Sequence, residues 1–276
     1  MPVKRFSFDS KGIDPMHEKN TEVPQAGPSR RAVVRGAAWS LPVIAAALAT
    51  PMAAASVTCT TTISSGAAVY SRLSATSSVF TWVNLFGDGK DLTLTLAAVP
   101  NGASNMTINT TNNLRLDAST QGGEAQPSVH LALDTADLRN LGGGQRVTFS
   151  FALAGVAVTV NNLSYKIKDI DGFQALDGRG GAERVFVSDG SGSYNSDWIE
   201  GAGTGTEPWR PSTASPNPEV AAGSAAGNVN VAVASVSAFN LTFVANNSGR
   251  AIGDRPPQNI WVGPFTFTAS NPACTP

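Results

Sequence analysis

The 276-residue chain is poor in the side chains that most enzymes rely on, because it has only two histidines and two cysteines. His17 lies close to the N-terminus, so a hydrolase triad would depend on His130 alone. Strand alternation around His130 places it on a solvent-facing side, away from Val129 and Leu131. A transition-metal site needs three or four His or Cys ligands, and this chain has too few of these residues to supply them. Both kinds of centre are therefore disfavoured.

Charge is also scarce, since 14% of the residues are charged and the net charge is −1. A nucleic-acid partner is not expected, because there is no basic patch to attract phosphates. No window of 12 or more residues shows a helical period, so no phosphate-binding loop can precede a helix. The apolar residues instead stand in short runs between Gly, Ser, Thr and Asn, which is typical of many short strands.

The first 55 residues differ from the rest. Residues 1–28 are polar and have no apolar period, which predicts disorder. Residues 29–55 combine Arg30 and Arg31 with an apolar run and the small residues Ala53–Ala55, a pattern that predicts a signal peptide cleaved after Ala55. A retained anchor over 36–57 is the alternative, but its prolines and alanines make it a weak spanning helix, so no stable membrane span is expected after cleavage.

The leader resembles a twin-arginine (Tat) export signal, although Val33, Val34 and Arg35 replace the last three positions of that motif. It is similar to leaders on exported proteins of high-GC Gram-positive bacteria. The resemblance implies that the Tat machinery and a signal peptidase are partners. It also implies a secreted, extracellular or cell-surface location.

Period-two alternation predicts about a dozen strands in residues 56–276, which we interpret as one antiparallel all-β sandwich domain. The number of strands favours a jelly-roll-like sandwich, and an immunoglobulin-like Greek-key sandwich is the alternative. The predicted strands are 57–63, 79–86, 92–99, 128–134, 146–153, 156–160, 163–170, 184–188, 228–236, 239–245 and 260–269. The glycines at 142–144 and 180–181 are expected to break the chain.

Cys59 and Cys274 stand near the two ends of this domain. A disulfide between them would join the first strand to the last, and the long loop that it closes could add about 3–5 kcal/mol in the chain-entropy model.

The segment LSYKIKDIDG, residues 163–172, ends a strand with Asp169 and Asp171. The spacing of the surrounding residues excludes an EF-hand. Alternation continues the core face of the strand to Asp169, which must then be paired because a lone buried carboxylate is costly. Three solutions are open: an arginine (Arg184 or Arg179) or the backbone of the turn, a structural calcium ion at Asp169 and Asp171, and catalysis. No other cofactor is expected.

Asp169-Ile-Asp-Gly172 and the following Glu183-Arg184-Val185-x-Val187 resemble a recurring element of exported bacterial β-sandwich proteins. Such domains occur in surface and matrix proteins. The resemblance therefore implies the fold and does not specify an activity.

A long connection spans residues 189–228 and contains Tyr194, Trp198, Trp209 and Arg210. Loops of this length are usually functional or disordered, and its aromatic content predicts that at least the first half is packed. The three aromatic side chains could stack on sugar rings while Arg210 supplies hydrogen bonds. Alternatively, Trp198 and Trp209 hold the loop on the sandwich.

These patterns predict an exported, non-enzymatic β-sandwich protein with a role in adhesion, in glycan or protein binding, or in envelope structure. The alternative is a secreted carbohydrate-active enzyme, which would need two carboxylates from a set that includes Glu183, Glu200 and Glu207.

Overall fold

Alternating apolar and polar residues form 19 β-strands in the computed structural model, and none of the residues it describes lies in an α-helix. The described residues are 59–102, 106–135, 142–174, 180–212, 220–247 and 258–274. The predicted export motif (Arg30 and Arg31) and the cleavage site after Ala55 lie outside them. The strands are β1 Thr60–Ser64, β2 Val69–Arg72, β3 Ser77–Trp82, β4 Leu92–Asn101, β5 Met106–Ile108, β6 Arg115–Asp117, β7 Ser128–Thr135, β8 Gly142–Leu153, β9 Val156–Ala157, β10 Val160–Lys168, β11 Gly172–Gln174, β12 Gly180–Val187, β13 Ser191–Tyr194, β14 Ile199–Glu200, β15 Arg210–Pro211, β16 Val229–Val236, β17 Ala238–Asn247, β18 Gln258–Val262 and β19 Thr266–Ser270.

The strands form two packed antiparallel sheets, which confirms the predicted all-β sandwich. Sheet A has the order β1-β19-β10-β18-β7-β5, with β16 also beside β10, β13 beside β16 and β6 beside β7. Sheet B has the order β11-β12-β17-β8-β4-β3-β2, with β9 beside β8. Strands β14 and β15 form a separate small ribbon.

The core lies between the inner faces of the two sheets. Phe149 stacks on Phe239 with ring centroids 4.6 Å apart, and Tyr165 stacks on the same Phe239 ring at 5.3 Å. Each buried phenylalanine contributes about 1.5–3 kcal/mol by removing apolar surface from water. Because these residues alternate with polar ones along each strand, the sequence pattern alone identifies them as core.

The glycines at 142–144 do not break the chain, and that expectation was wrong. They begin β8, where Gly144 pairs with Val244 of β17. A Cβ atom at Gly144 would stand 1.9 Å from the carbonyl oxygen of Phe243, so a glycine is needed for the two strands to approach. The glycines at 180 and 181 likewise lie inside β12.

The predicted strand 260–269 is instead two strands, β18 and β19, and both pair with β10. Pro264 stands between them and has no N–H to donate to a neighbouring strand.

The predicted disulfide is present between Cys59 and Cys274, whose Cα atoms are 5.5 Å apart. It closes the sandwich beside the pairing of β1 with β19, where Thr60 lies opposite Ser270. Among the described residues, no helix has the length and apolar character needed to span a membrane.

Candidate functional site

The strand end at Asp169 is a turn with a left-handed residue. Strand β10 ends at Lys168, and Asp169 has a φ of 66°. This conformation interrupts the alternation, so that Lys168 and Ile170 are both fully buried while Asp169 is half-buried. The side chain that enters the core at this turn is therefore Ile170.

Near this turn, the carboxyl group of Glu183 is buried inside the sandwich, and 1% of the surface of this residue is exposed. It stands on β12 two residues before the core residue Val185 and shares its inward face. Its Oε2 accepts a hydrogen bond from the backbone N–H of Asp171 at 3.1 Å, and its Oε1 accepts one from the N–H of Asn259 at 3.1 Å. Glu183 therefore ties β12 to the ends of β10 and β18.

Burial raises the pKa of Glu183 well above its usual range, and the negative charges of Asp171 and Asp169 raise it further. Its two backbone hydrogen bonds act in the opposite direction but are outweighed. Glu183 thus keeps its proton at pH values where an exposed glutamate has lost it. A carboxyl this deeply buried cannot reach a polysaccharide, so its role is to hold strands together.

Asp171 is held by the backbone, since its Oδ2 accepts from the N–H of Val220 at 3.3 Å. The predicted pairing of Asp169 with Arg184, Arg179 or the backbone of the turn stays a prediction, and Arg179 lies outside the described residues. Within the described ranges, no three His, Cys, Asp or Glu side chains come together as a metal site. Structural calcium at Asp169 and Asp171 stays a prediction.

Trp209 lies inside the long connection and is 1% exposed. Its backbone N–H and C=O exchange hydrogen bonds of 2.9 Å with Val185 of β12. Its ring fills the space above Gly192 and Gly203, where an added Cβ at either glycine would come within 2.3 Å of it. Trp209 therefore holds the connection on the sandwich, and it does not present a ring face to a ligand.

Tyr194 is half-buried and donates its hydroxyl to the carbonyl of Gly201 at 2.6 Å. The first half of the connection, 189–208, contains strands β13 and β14, and β15 follows directly after it. Tyr194 and Ile199 pack it against the core, as predicted. Residues 213–219 lie outside the described part of the chain.

The β14–β15 ribbon has an inward and an outward side. Ile199 is fully buried, whereas Trp198 and Glu200, its neighbours in the chain, are half-buried. Arg210 pairs across the ribbon with Glu200, and its Nε lies 2.8 Å from Oε1 of that glutamate. A cavity of about 340 Å³ adjoins this pair and is lined by Glu200, Gly201, Thr206, Glu207, Pro208 and Arg210. Of the four residues predicted to bind ligand, Trp198 and Arg210 thus lie at this ribbon.

His130 is 9% exposed, so its predicted position on a solvent-facing side was wrong. Its ring stacks on Trp261 with centroids 4.6 Å apart, and its Nε2 donates to Oδ1 of Asn259 at 2.8 Å. Trp261 in turn donates its Nε1–H to Asp117 at 3.2 Å. Burial lowers the pKa of His130, which favours the neutral imidazole. The stacked Trp261 ring, held by Asp117 of the neighbouring strand β6, therefore shields His130 from solvent.

Two lysines of β10 share one carboxylate on the same outer face. Lys166 forms a salt bridge with Oε1 of Glu124, and Nζ of the fully buried Lys168 lies 3.4 Å from Oε2. The hydrogen bond from Lys166 is the main cause that lowers the pKa of Glu124. Sequence reasoning missed this group because Glu124 and Lys166 are 42 residues apart.

Comparison with protein-family models, curated proteins and solved structures found no significant match. The class that the fold itself defines is a two-sheet antiparallel β-sandwich whose first and last strands are joined by a disulfide.

Proposed function

We propose that this chain is an exported, non-enzymatic β-sandwich protein that acts at the cell surface or outside the cell by binding a glycan. The observation that carries the proposal is the outward side of the β14–β15 ribbon. There the Glu200–Arg210 pair borders a polar cavity of about 340 Å³. Trp198 stands two residues before Glu200 in the chain and is half-buried, so part of its ring is open beside the ribbon. Binding sites of this kind combine an aromatic surface with a few fixed polar groups.

The ribbon offers the rigidity that a binding site needs. Trp209, the residue before Arg210, is fixed in the core, and Ser212 donates its N–H to the carbonyl of Trp198 at 2.8 Å. Glu200 holds Arg210 in place. The planar guanidinium of Arg210 carries several N–H donors, which can form hydrogen bonds with sugar hydroxyl groups. A disulfide between the two ends of the sandwich fits an oxidising extracellular location, in agreement with the predicted leader.

The test is a binding screen of the protein against soluble polysaccharides, followed by Arg210→Gln. We expect one polysaccharide to bind and Arg210→Gln to weaken that binding about tenfold, since a charge-assisted hydrogen bond is lost. Arg115→Gln is the matched control, because Arg115 is an exposed arginine on β6 outside the cavity. Binding that Arg210→Gln leaves unchanged, or no binding at all, would contradict the proposal.

A carbohydrate-active enzyme is the second candidate, and one observation favours it. Glu200 and Glu207 both line the cavity, and glycoside hydrolysis uses two carboxyl groups. Release of reducing ends from a bound polysaccharide, abolished by Glu207→Gln, would replace the binding proposal with this one.

A further inference from the structure

A second polar cavity, of about 260 Å³, opens on the outer face of sheet A. Ser164 and Lys166 of β10 form part of its floor, and they alternate with the inward-facing core residues Tyr165 and Ile167. The cavity shares no lining residue with the one at the β14–β15 ribbon. Its polar lining comes from Glu124, Gln126, Ser164, Lys166, Asn230 and Thr266.

The cavity is bordered by a carboxylate that two ammonium groups already hold. Each oxygen of Glu124 faces a different lysine, Oε1 toward Lys166 and Oε2 toward Lys168. Nζ of Lys168 is buried and has no hydrogen bond shorter than its 3.4 Å approach to Glu124. The two lysines therefore outnumber their shared carboxylate, and this part of the surface favours a further anion.

We propose that this cavity binds the carboxylate of an acidic sugar, which exchanges with Glu124 as the partner of Lys166. Glu124 can be displaced because its side chain is 30% exposed, and Lys166 can reach a ligand because its side chain is 34% exposed. Lys168, 3.4 Å from the other oxygen of Glu124, remains as the partner of that carboxylate after the exchange.

An acidic sugar fits better than an acidic protein segment. The remaining polar lining consists of hydroxyl and amide groups from Ser164, Thr266, Asn230 and Gln126, which match the hydroxyl groups of a sugar ring. The cavity is smaller than the roughly 300–1,000 Å³ of sites for drug-sized molecules, so it suits one sugar unit.

The experiment is an NMR or calorimetric titration of the protein with glucuronate and, as the matched neutral ligand, glucose. We expect glucuronate to bind and glucose to bind at least about tenfold more weakly, because glucose has no charge for Lys166 to pair with. Equal affinities for the two sugars, or no binding of glucuronate to the wild type and to Glu124→Gln alike, would overturn the proposal.

Two variants test the exchange with Glu124. Glu124→Gln removes the internal competitor and should tighten glucuronate binding about two- to fivefold. Lys166→Gln should weaken it at least about tenfold. Lys90→Gln is the control, since Lys90 is a partly exposed lysine paired with Asp88 outside the cavity. Circular-dichroism melting verifies that each variant is folded. Glu124→Gln binding more weakly than the wild type would contradict the exchange.

The result is independent of the site at the β14–β15 ribbon. Arg210→Gln should leave glucuronate binding unchanged, because Arg210 does not line this cavity. A short acidic peptide that binds better than glucuronate would assign the cavity to a protein partner and overturn the sugar assignment.

Discussion

Glu183 and Lys168 are both almost completely buried, with 1% and 0% of their surface exposed, but they lie on different sides of the sandwich. Glu183 faces the core, where it is held by the backbone N–H groups of Asp171 and Asn259. Lys168 lies on the outer face of sheet A, where its partner is the carboxylate of Glu124. The protein therefore satisfies one buried group with backbone dipoles and the other with a counter-ion.

The difference shows what each environment does to a charge. Inside the sandwich, burial and the neighbouring carboxylates of Asp171 and Asp169 raise the pKa of Glu183, so that the neutral acid is favoured. On the outer face, burial lowers the pKa of Lys168, but Glu124 counteracts this change. The carboxylate of Glu124 offsets part of the effect of burial on Lys168, whereas the two backbone N–H groups at Glu183 are outweighed by burial and the neighbouring carboxylates.

The largest effect is expected from removing the carboxyl of Glu183. Glu183→Ala leaves the N–H groups of Asp171 and Asn259 without their acceptor and should lower the free energy of unfolding by about 2–5 kcal/mol. Glu183→Gln keeps one acceptor oxygen and should lose only about 1 kcal/mol. Urea unfolding of both variants measures the difference. If both variants lose the same small amount of unfolding free energy, the hydrogen bonds of Glu183 do not stabilise the contact between the strands.

The second prediction concerns the pH dependence of stability. Because the pKa of Glu183 is raised in the folded state, the folded protein binds this proton more tightly than the unfolded chain does. Its contribution is complete below about pH 4.3, the usual value for an unfolded glutamate, and is lost as pH rises through the folded pKa. The slope is at most about 1.4 kcal/mol per pH unit.

Glu183→Gln isolates this contribution, because His130 titrates equally in both proteins. The lowered pKa of His130 acts with the opposite sign, since it destabilises the fold as pH falls below the usual range of histidine. Unfolding free energies measured from pH 4 to 8 should show the wild type losing stability relative to Glu183→Gln as pH rises. Parallel curves would show that Glu183 titrates normally.

A smaller effect is expected on the outer face. Glu124→Gln removes the counter-ion of Lys168 and should lower the free energy of unfolding by about 1–2 kcal/mol, less than for a fully buried pair because Glu124 is 30% exposed. The loss should be greater at low salt than at 1 M salt, where partly exposed pairs are screened. Asp88→Asn is the matched control, since it removes the carboxylate of the Lys90 pair at the surface. A larger loss for Asp88→Asn would reverse the predicted order.

Most of the sandwich could be predicted because its strands are half-buried, so that burial and alternation coincide. Strands β4, β8 and β16 follow the period of two, and the cysteines indicated their own pairing. The ribbon β14–β15 could not be predicted, because two residues per strand carry no period. The jelly-roll and immunoglobulin-like alternatives are distinguished by connectivity, which alternation does not encode.

The buried charges were predicted less well, for two different reasons. Glu183 shares the inward face of Val185 and Val187, so alternation did indicate that it points into the core. That indication conflicts with the rule that glutamate is almost never buried without a partner. His130 is shielded by Trp261 and Lys168 is paired with Glu124, and both partners come from distant parts of the sequence. Alternation identifies which residues share a face, and only the tertiary contacts decide whether that face is open.

The smallest effect is expected at Lys166, which shares Glu124 with Lys168 but is 34% exposed. Lys166→Gln should change the free energy of unfolding by less than about 1 kcal/mol, because exposed ion pairs are worth little and Glu124 keeps Lys168 as a partner. Urea unfolding of Lys166→Gln, Glu124→Gln and the double variant forms a cycle. The double variant should lose the same free energy of unfolding as Glu124→Gln alone, because the buried Lys168 is the lysine that needs Glu124 as a counter-ion. A loss from Lys166→Gln as large as that from Glu124→Gln would show that the exposed pair, and not Lys168, is what Glu124 stabilises.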